Sequence, residues 1–354
     1  MSGFSSIVGQ EKPIQRIRTF LQNQTIPHAL LFTGIPGVGK RHTAVQLAMA
    51  CNCHARTQDR GQPSRVRQSP AEPSASAAIP CGQCAACRKI KSGTHRDVLR
   101  LKPSRSSIRI EQIRALQDAL SVRPHEAVMR VVIVSRAQCM TAAAANAFLK
   151  ILEEPPAETL LILTAPAAGD LLPTVASRCQ RIHFSPLSRA RLAQLLVQQI
   201  GVAHGQALTL AAASGGSYAR ALAMAENGWI DLRDWVVAQL AELSQAGPAH
   251  ILAFADRLAQ NTAKLQDIFE IVGSWLRDLL VVRFLPEAVV HRDRCEELAA
   301  LAVKSDPDKL QKGFAALGRA QRDIQDNANA RLTLTALMLQ LAGSGRGADQ
   351  GSTH

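Results

Sequence analysis

The heptapeptide GIPGVGK, residues 34 to 40, restricts the possible folds of this chain more than any other segment. Its glycines and lysine follow the spacing G-x-x-x-x-G-K of a phosphate loop, with Gly34, Gly37, Gly39 and Lys40 as the expected binding residues. Glycines let backbone N–H groups approach phosphate oxygens, the start of a helix favours their charge, and the lysine balances the outer phosphates. The motif requires a strand before it and a helix after it, so it predicts an α/β domain.

The segments around the loop repeat this alternation of strand and helix. HALLFTG is a short apolar strand that ends in glycine, and the alanine-rich segment 43–53 has the composition of a helix. One further helix is predicted where Ile14, Ile17 and Leu21 fall on one face, another over residues 108–122, and a third where Ala145, Phe148, Leu149 and Leu152 fall on one face. Further strands are predicted over residues 130–134 and 160–163. This alternation predicts a parallel sheet covered by helices on both faces.

Downstream of about residue 184 the strand patterns disappear. We predict a nucleotidase-like domain at 1–184, a small helical domain at 185–228, a longer helical domain at 229–342 and a disordered tail at 343–354. Residues 54–80 are rich in Ser, Pro, Ala, Gln and Arg without periodicity, which predicts a disordered insertion.

The residues that would hold Mg²⁺ beside the phosphate loop are replaced. Arg41 stands where a Ser or Thr should bind the metal, and Thr43 lies roughly 200° further around the helix, too far to replace it. After the predicted strand 130–134, Ser135 and Arg136 stand where acidic residues should hold the metal and orient the attacking water. The chain could therefore bind ATP or ADP, but we expect no Mg²⁺-dependent hydrolysis.

Three cysteines, Cys81, Cys84 and Cys87, form a C-x-x-C-x-x-C cluster that can direct its sulfur atoms at one tetrahedral metal ion. A fourth ligand could come from Cys51, Cys53 or His54. Four protein ligands would close the coordination sphere, which indicates a structural zinc rather than a catalytic one.

Composition places the chain among ordinary globular proteins, with 47% hydrophobic and 19% charged residues in 354. The sequence has no N-terminal secretion signal and no apolar run long enough for a membrane span, so we expect a cytoplasmic protein with reduced cysteines. The net charge of +13 favours a polyanionic neighbour such as nucleic acid.

Several motifs, in their order along the chain, resemble the delta prime subunits of the bacterial DNA polymerase III clamp loader, which are AAA+ proteins. They are PHALLFTGIPGVGK, PCGQCAAC, GTHRDV, NAFLKILEEPP, LLPTVASRCQ, SGGSYARAL, WLRDLL and NANARL, between about Phe4 and Gly343. The resemblance implies a RecA-like AAA+ domain with a zinc module, then a helical lid and an all-α collar that joins subunits into a ring.

The resemblance also assigns individual residues. It implies that the zinc ligands are Cys53, Cys81, Cys84 and Cys87. For the triplet Ser177, Arg178 and Cys179, the resemblance implies that the arginine acts on a neighbouring subunit's ATP. Arg220 matches a second sensor arginine, and Thr164 lies near the first sensor position.

The function that follows is a non-hydrolysing clamp-loader subunit of the DNA polymerase III holoenzyme, a DNA-directed DNA polymerase. Its implied partners are the gamma or tau and delta subunits, with the sliding clamp and primed DNA reached through the complex. An active gamma or tau motor would need acidic residues after Val134 and a Ser or Thr at position 41. A free-standing zinc protein that binds DNA would need a longer basic helix than RKIKSGTHR allows.

Overall fold

The computed structural model describes residues 3–57, 79–243, 247–261 and 264–345. The chain divides into two compact units, 1–187 and 188–354. Most of the predicted insertion, residues 58–78, and most of the predicted tail, residues 346–354, lie outside the described residues. The first residues of that insertion are not disordered as predicted, because His54–Thr57 form a short helix directly after Cys53. Residues 343–345 likewise complete the last turn of the final helix.

The first unit is built on a five-stranded sheet in which every paired strand is parallel, with the order β2-β3-β4-β1-β5. Its strands are β1 Ala29–Thr33, β2 Val98–Leu101, β3 Arg130–Val134, β4 Thr159–Ala165 and β5 Gln180–His183. Its helices are α1 Glu11–Gln22, α2 Lys40–Asn52, α3 His54–Thr57, α4 Ala85–Ser92, α5 Ile110–Ser121, α6 Ala142–Glu153 and α7 Pro173–Ala176. Short 3-10 turns occupy Gly3–Ser6, Ala137–Cys139 and Ala168–Asp170.

Helices bury both faces of this sheet. Alternate side chains of the central strands point to opposite faces, so Phe32 packs in one hydrophobic cluster with Ile17 and Leu47, and Leu31 packs in the other with Phe148. β1, β3 and β4 are buried along their whole length, which matches their continuous apolar sequences. The predicted parallel sheet with helices on both sides is confirmed.

The edge strands are the elements that sequence patterns did not predict. β5, with the sequence QRIH, contributes one buried side chain, and β2, with the sequence VLRL, is interrupted by the exposed Arg100. Both strands are held by backbone pairing to a central strand, which leaves little trace in side-chain periodicity. Helix α4 was also not predicted, and α2 begins at Lys40 rather than Thr43 because Gly39 provides its N-cap.

The second unit is helical throughout its described residues, as predicted. Its helices are α8 Arg189–Ile200, α9 His204–Ala213, α10 Tyr218–Glu226, α11 Trp229–Glu242, α12 Pro248–Gln260, α13 Leu265–Val281, α14 Cys295–Lys304, α15 Pro307–Gln325 and α16 Ala330–Gly345. Two 3-10 turns, Pro286–Ala288 and Arg292–Arg294, lie between α13 and α14.

Apolar side chains of α12, α13 and α16 form the interior of this unit. Phe254, Trp275 and Leu337 are almost completely buried, whereas Leu332 at the start of α16 remains 68% exposed. Within the described ranges, no helix combines the length and hydrophobicity that crossing a bilayer requires.

Candidate phosphate loop, cysteine cluster and surface arginine

The phosphate loop connects the end of β1 to the start of α2. Gly34, Gly37 and Gly39 have φ angles of 137°, 82° and 102°, in the left-handed region that favours glycine. At Gly34 a Cβ atom would lie 2.2 Å from the carbonyl oxygen of Phe184, which ends the neighbouring strand region. Glycine at position 34 is therefore required both by backbone angle and by close approach.

Lys40 lies across the loop that precedes it. Its Nζ donates hydrogen bonds to the carbonyl oxygens of Gly34 and Ile35, the second at 2.9 Å. Burial lowers the pKa of this lysine. Its position at the first turn of α2 places a positive charge beside backbone N–H groups that point out of the helix start.

The positions that should hold metal and water carry no carboxylate. Thr43 is buried and its hydroxyl donates to the Gly39 carbonyl oxygen at 3.0 Å, so it faces into the helix and not the loop. Ser135 and Arg136 follow β3 as predicted, and Arg136 adopts a left-handed φ of 55°. Its backbone N–H donates to Thr164 Oγ1 at 3.1 Å, so the hydroxyl of the predicted first sensor binds backbone.

A cavity of about 370 Å³ opens beside the loop, at the carboxyl ends of the sheet strands. Its lining includes Lys40, Arg41 and Arg136, which sequence analysis singled out, and also Arg100 and Lys102, which it missed. If VLRL had been recognised as a strand, Arg100 and Lys102 would have been placed with the loop at the carboxyl ends of the strands, because β2 pairs with β3 in parallel.

The four cysteines of the predicted zinc site lie together. Cys53, Cys81, Cys84 and Cys87 have sulfur atoms that are all within 4.8 Å of one another. Cys53 joins the cluster because α2 ends beside the turn that begins α4, whereas Cys51 and His54 are not members of this group. The fourth position that the sequence left open is thus occupied by Cys53 in the fold.

The geometry of this cluster fits a tetrahedral metal ion with thiolate ligands. With metal–sulfur bonds of about 2.3 Å, neighbouring sulfurs should be roughly 3.8 Å apart, and Cys81 Sγ lies 3.9 Å from Cys87 Sγ. Backbone N–H groups of Cys81, Cys84 and Cys87 donate to the sulfurs of Cys53, Cys81 and Cys84 at 3.4, 3.3 and 3.5 Å. Although burial acts to raise it, such N–H donors lower the pKa of Cys81 to about 6. The cluster could hold zinc.

Arg178 lies at the surface of the first unit, between α7 and β5. Its guanidinium forms an ion pair with Glu153 at 2.7 Å and donates to the Thr174 carbonyl oxygen at 3.0 Å. Both partners of the ion pair are substantially exposed, at 39% and 50%, so solvent screens it strongly. Ser177 is also exposed, whereas Cys179 is buried and its burial raises its pKa to about 11.

Arg178 and the phosphate loop lie at opposite ends of two neighbouring strands. Arg178 precedes β5, and the loop follows β1, which is the parallel neighbour of β5. A shallow cleft of about 450 Å³ surrounds Arg178 at the amino ends of these two strands, with His28 and Arg181 in its lining. The five residues of β1 span about 17 Å, so Arg178 cannot reach the loop of its own chain.

Arg220, the predicted second sensor, belongs to the second unit. It lies in the first turn of α10, and its guanidinium forms an ion pair with Glu270 of α13. Arg220 thus has a carboxylate partner within its own unit.

Comparison with known proteins shows which family shares these features. The family model described as DNA polymerase III, delta subunit, matches residues 9–188, and the model of the C-terminal part of that subunit matches residues 227–343. DNA polymerase III subunit delta prime of Bacillus subtilis is 27% identical over 337 residues, covering 94% of this chain and 96% of the relative. The delta prime subunit of Pseudomonas aeruginosa is 30% identical over 324 residues, covering 89% and 92%.

Among solved structures, a DNA polymerase III gamma subunit-related protein from Thermotoga maritima has a similar fold. Its TM-score is 0.51 and its sequence identity 19%, with coverage of 95% of this chain and 100% of that one. At this identity the similarity supports the fold.

Proposed function

This chain belongs to the delta prime family of DNA polymerase III subunits, and on that premise we propose that it is a non-hydrolysing clamp-loader subunit that provides Arg178 to a neighbouring ATPase. In this function it completes a ring with gamma or tau and delta subunits, and the ring loads a sliding clamp onto primed DNA. The observation that carries the proposal is the location of Arg178, exposed at the amino ends of the strands, opposite its own phosphate loop at their carboxyl ends.

The residues at the two ends of the strands support a subunit that does not hydrolyse ATP itself but acts on the ATP of a neighbour. At the carboxyl ends of the strands, beside the phosphate loop, Arg41, Ser135 and Arg136 stand where a motor needs Mg²⁺ ligands and an acid that orients water. At the amino ends of the strands, Arg178 presents a guanidinium, which can stabilise charge on a phosphate that is being transferred on another subunit. The same absence of acidic residues argues against a gamma or tau motor, which was the alternative.

Zinc has a structural role in this proposal. Four thiolates close the coordination sphere, so the ion would hold the end of α2 against the start of α4 and would activate no water. Cys53, Cys81, Cys84 and Cys87 would provide the ligands.

The test is steady-state ATP turnover in a clamp loader reconstituted with the Arg178→Ala variant. An arginine that acts in trans contributes roughly 10³ to 10⁵ in rate at the site it serves, so turnover of the complex in the presence of clamp and primed DNA should fall. Arg178→Lys should not restore it, because lysine lacks the planar fork. Arg114→Ala, an exposed arginine on α5, is the matched control.

Size-exclusion chromatography should show that the Arg178→Ala complex assembles normally. If that assembled complex hydrolysed ATP as fast as the parent at every site, Arg178 would have no role in trans. The isolated parent chain should show no turnover above background, and rates on the order of 1 per second from it would exclude a non-hydrolysing subunit.

A further inference from the structure

The cavity at the phosphate loop has an unusual concentration of positive charge. Its charged lining residues are Lys40, Arg41, Arg100, Lys102 and Arg136. They arrive from separate segments: the start of α2, the end of β2 and the turns after β2 and β3. Among the described residues that line the cavity, none is Asp or Glu. Cations converging in a concave site raise the local concentration of anions.

Among the described residues, no carboxylate neutralises these charges. In the described part of the chain, none of the five cations forms an ion pair with a carboxylate. Lys40 and Arg100 instead donate to backbone carbonyl oxygens, those of the loop and of Ile90. Arg41 and Arg100 both line the cavity, and burial, and next the charge of Arg41, lower the pKa of Arg100.

Arg136 has the position that defines what the cavity can bind. It follows β3, where an AAA+ motor has an acidic residue, and its backbone is held in the left-handed region by the bond to Thr164. A guanidinium at this point supplies positive charge directly and presents donors that match phosphate oxygens in pairs. A Mg²⁺ ion, in contrast, would be repelled and would find no carboxylate among the described residues of the cavity.

We propose that this cavity binds the phosphate chain of a nucleoside triphosphate without a divalent cation, with Arg136 and its neighbouring cations supplying the charge that Mg²⁺ supplies in a motor. The proposal rests on the proposed function in one respect, that the site does not hydrolyse its ligand. A volume of about 370 Å³ suits a small anion enclosed on several sides.

This arrangement reverses the usual effect of magnesium. Free ATP carries more negative charge than its magnesium complex, and the cavity offers cations to the first and no ligand to the metal of the second. Binding should therefore be stronger in EDTA than in excess MgCl₂. Inorganic tripolyphosphate should compete with ATP, and adenosine should not, because the recognised group is the phosphate chain.

The experiment is calorimetric titration of the full-length protein with ATP, in EDTA and again in excess MgCl₂. Arg136→Gln should weaken binding in EDTA by about tenfold or more, the expected loss for one hydrogen bond between charged groups. Lys102→Gln is a second variant that tests the same cavity from another segment. Arg114→Gln is the matched control and should bind like the parent.

Three results would overturn the proposal: no ATP binding in EDTA, binding that requires Mg²⁺, or unchanged affinity in both cavity variants. Capture of single-stranded DNA without any affinity for ATP would also contradict it. None of these outcomes alters the test of Arg178, because that test measures turnover at the sites of partner subunits.

Discussion

Single residues carry the strictest requirements of this fold, and Gly34 is the clearest case. Its φ is left-handed, and the Phe184 carbonyl oxygen lies only 2.2 Å from the place that a Cβ atom would occupy, so no other residue fits. We expect Gly34→Ala to lower the free energy of unfolding of the first unit by about 2 kcal/mol or more, from backbone strain and displacement of β5. Thermal unfolding followed by circular dichroism measures this.

The control for that variant is Gly169→Ala. Gly169 has no neighbouring atom within 4 Å of a Cβ position and no left-handed φ, so its substitution should change stability little. Trp229, Trp235 and Trp275 all lie in the second unit, so their fluorescence reports that unit separately. Equal destabilisation by both variants would mean that the approach to Phe184 is not a constraint.

Asp97 is a second residue whose role depends on its immediate surroundings. This buried carboxylate accepts hydrogen bonds from the backbone N–H groups of His125, Glu126 and Ala127 at 2.8 to 3.1 Å. Burial acts to raise its pKa, but these donors outweigh burial and leave the pKa of Asp97 lowered. It thereby holds the loop between α5 and β3.

We expect Asp97→Asn to cost about 2 kcal/mol of stability at neutral pH, because N–H donors that now bind a carboxylate would face an amide. Since the folded pKa is lowered, the contribution of Asp97 is complete above its ordinary value of about 4 and is lost as pH falls through the folded pKa. The stability difference between parent and variant should therefore shrink on acidification to about pH 3, measured by urea unfolding. Asp118→Asn, an exposed carboxylate on α5, should show no such trend.

At the scale of elements, the cysteine cluster joins α2, which follows β1, to α4, which precedes β2, although these two strands do not pair with each other. Cys53 lies at the end of α2, Cys84 caps α4, and Cys87 lies in the first turn of α4. The cluster therefore brings the end of α2 beside the start of α4. If the cluster holds zinc, the metal contributes folding free energy to the α2–α4 contact.

We predict one zinc per chain by elemental analysis of protein purified without chelator. Cys84→Ser should release the metal and lower the unfolding temperature of the first unit, because one thiolate is lost from a closed site. Cys139→Ser, a partly buried cysteine outside the cluster, should keep both the metal and the stability. Metal-free parent protein, or a Cys84→Ser variant with full zinc content, would contradict the assignment.

At the scale of the whole molecule, the second unit leaves apolar side chains uncovered. Phe284 and Val303 are each 84% exposed. Each is adjacent in sequence to a residue of one contact, because Arg283 donates to the Ala302 carbonyl oxygen and, at 2.5 Å, to that of Ser305. Contiguous exposed apolar surface marks sites where proteins meet. We therefore infer that this surface contacts another clamp-loader subunit.

The prediction is that Phe284→Asp weakens binding to partner subunits by about 2 kcal/mol, roughly thirtyfold, as expected for an interface anchor. Val303→Asp should act in the same direction. Val122→Asp changes an exposed valine of the first unit and serves as control. Analytical ultracentrifugation of the mixed subunits measures this, and full assembly by both variants would exclude the surface from the ring.

The sequence alone determined the local features of this protein. Strand, loop and helix at residues 29–52, the missing acids after β3 and three of the four clustered cysteines follow from spacing and periodicity within short segments. Such features depend on backbone geometry and on hydrogen bonds between near neighbours, which a sequence pattern records directly.

Only the tertiary structure decided how distant segments meet. It placed Cys53 with the other cysteines, brought Arg100 to the phosphate loop and set Arg178 at the opposite end of the strands. It also buried Leu334 and Leu337 of α16 inside the second unit, so these two side chains are not free to contact a partner. The physical reason is strand order: β1 lies between β4 and β5, and no local pattern records which distant strands pair.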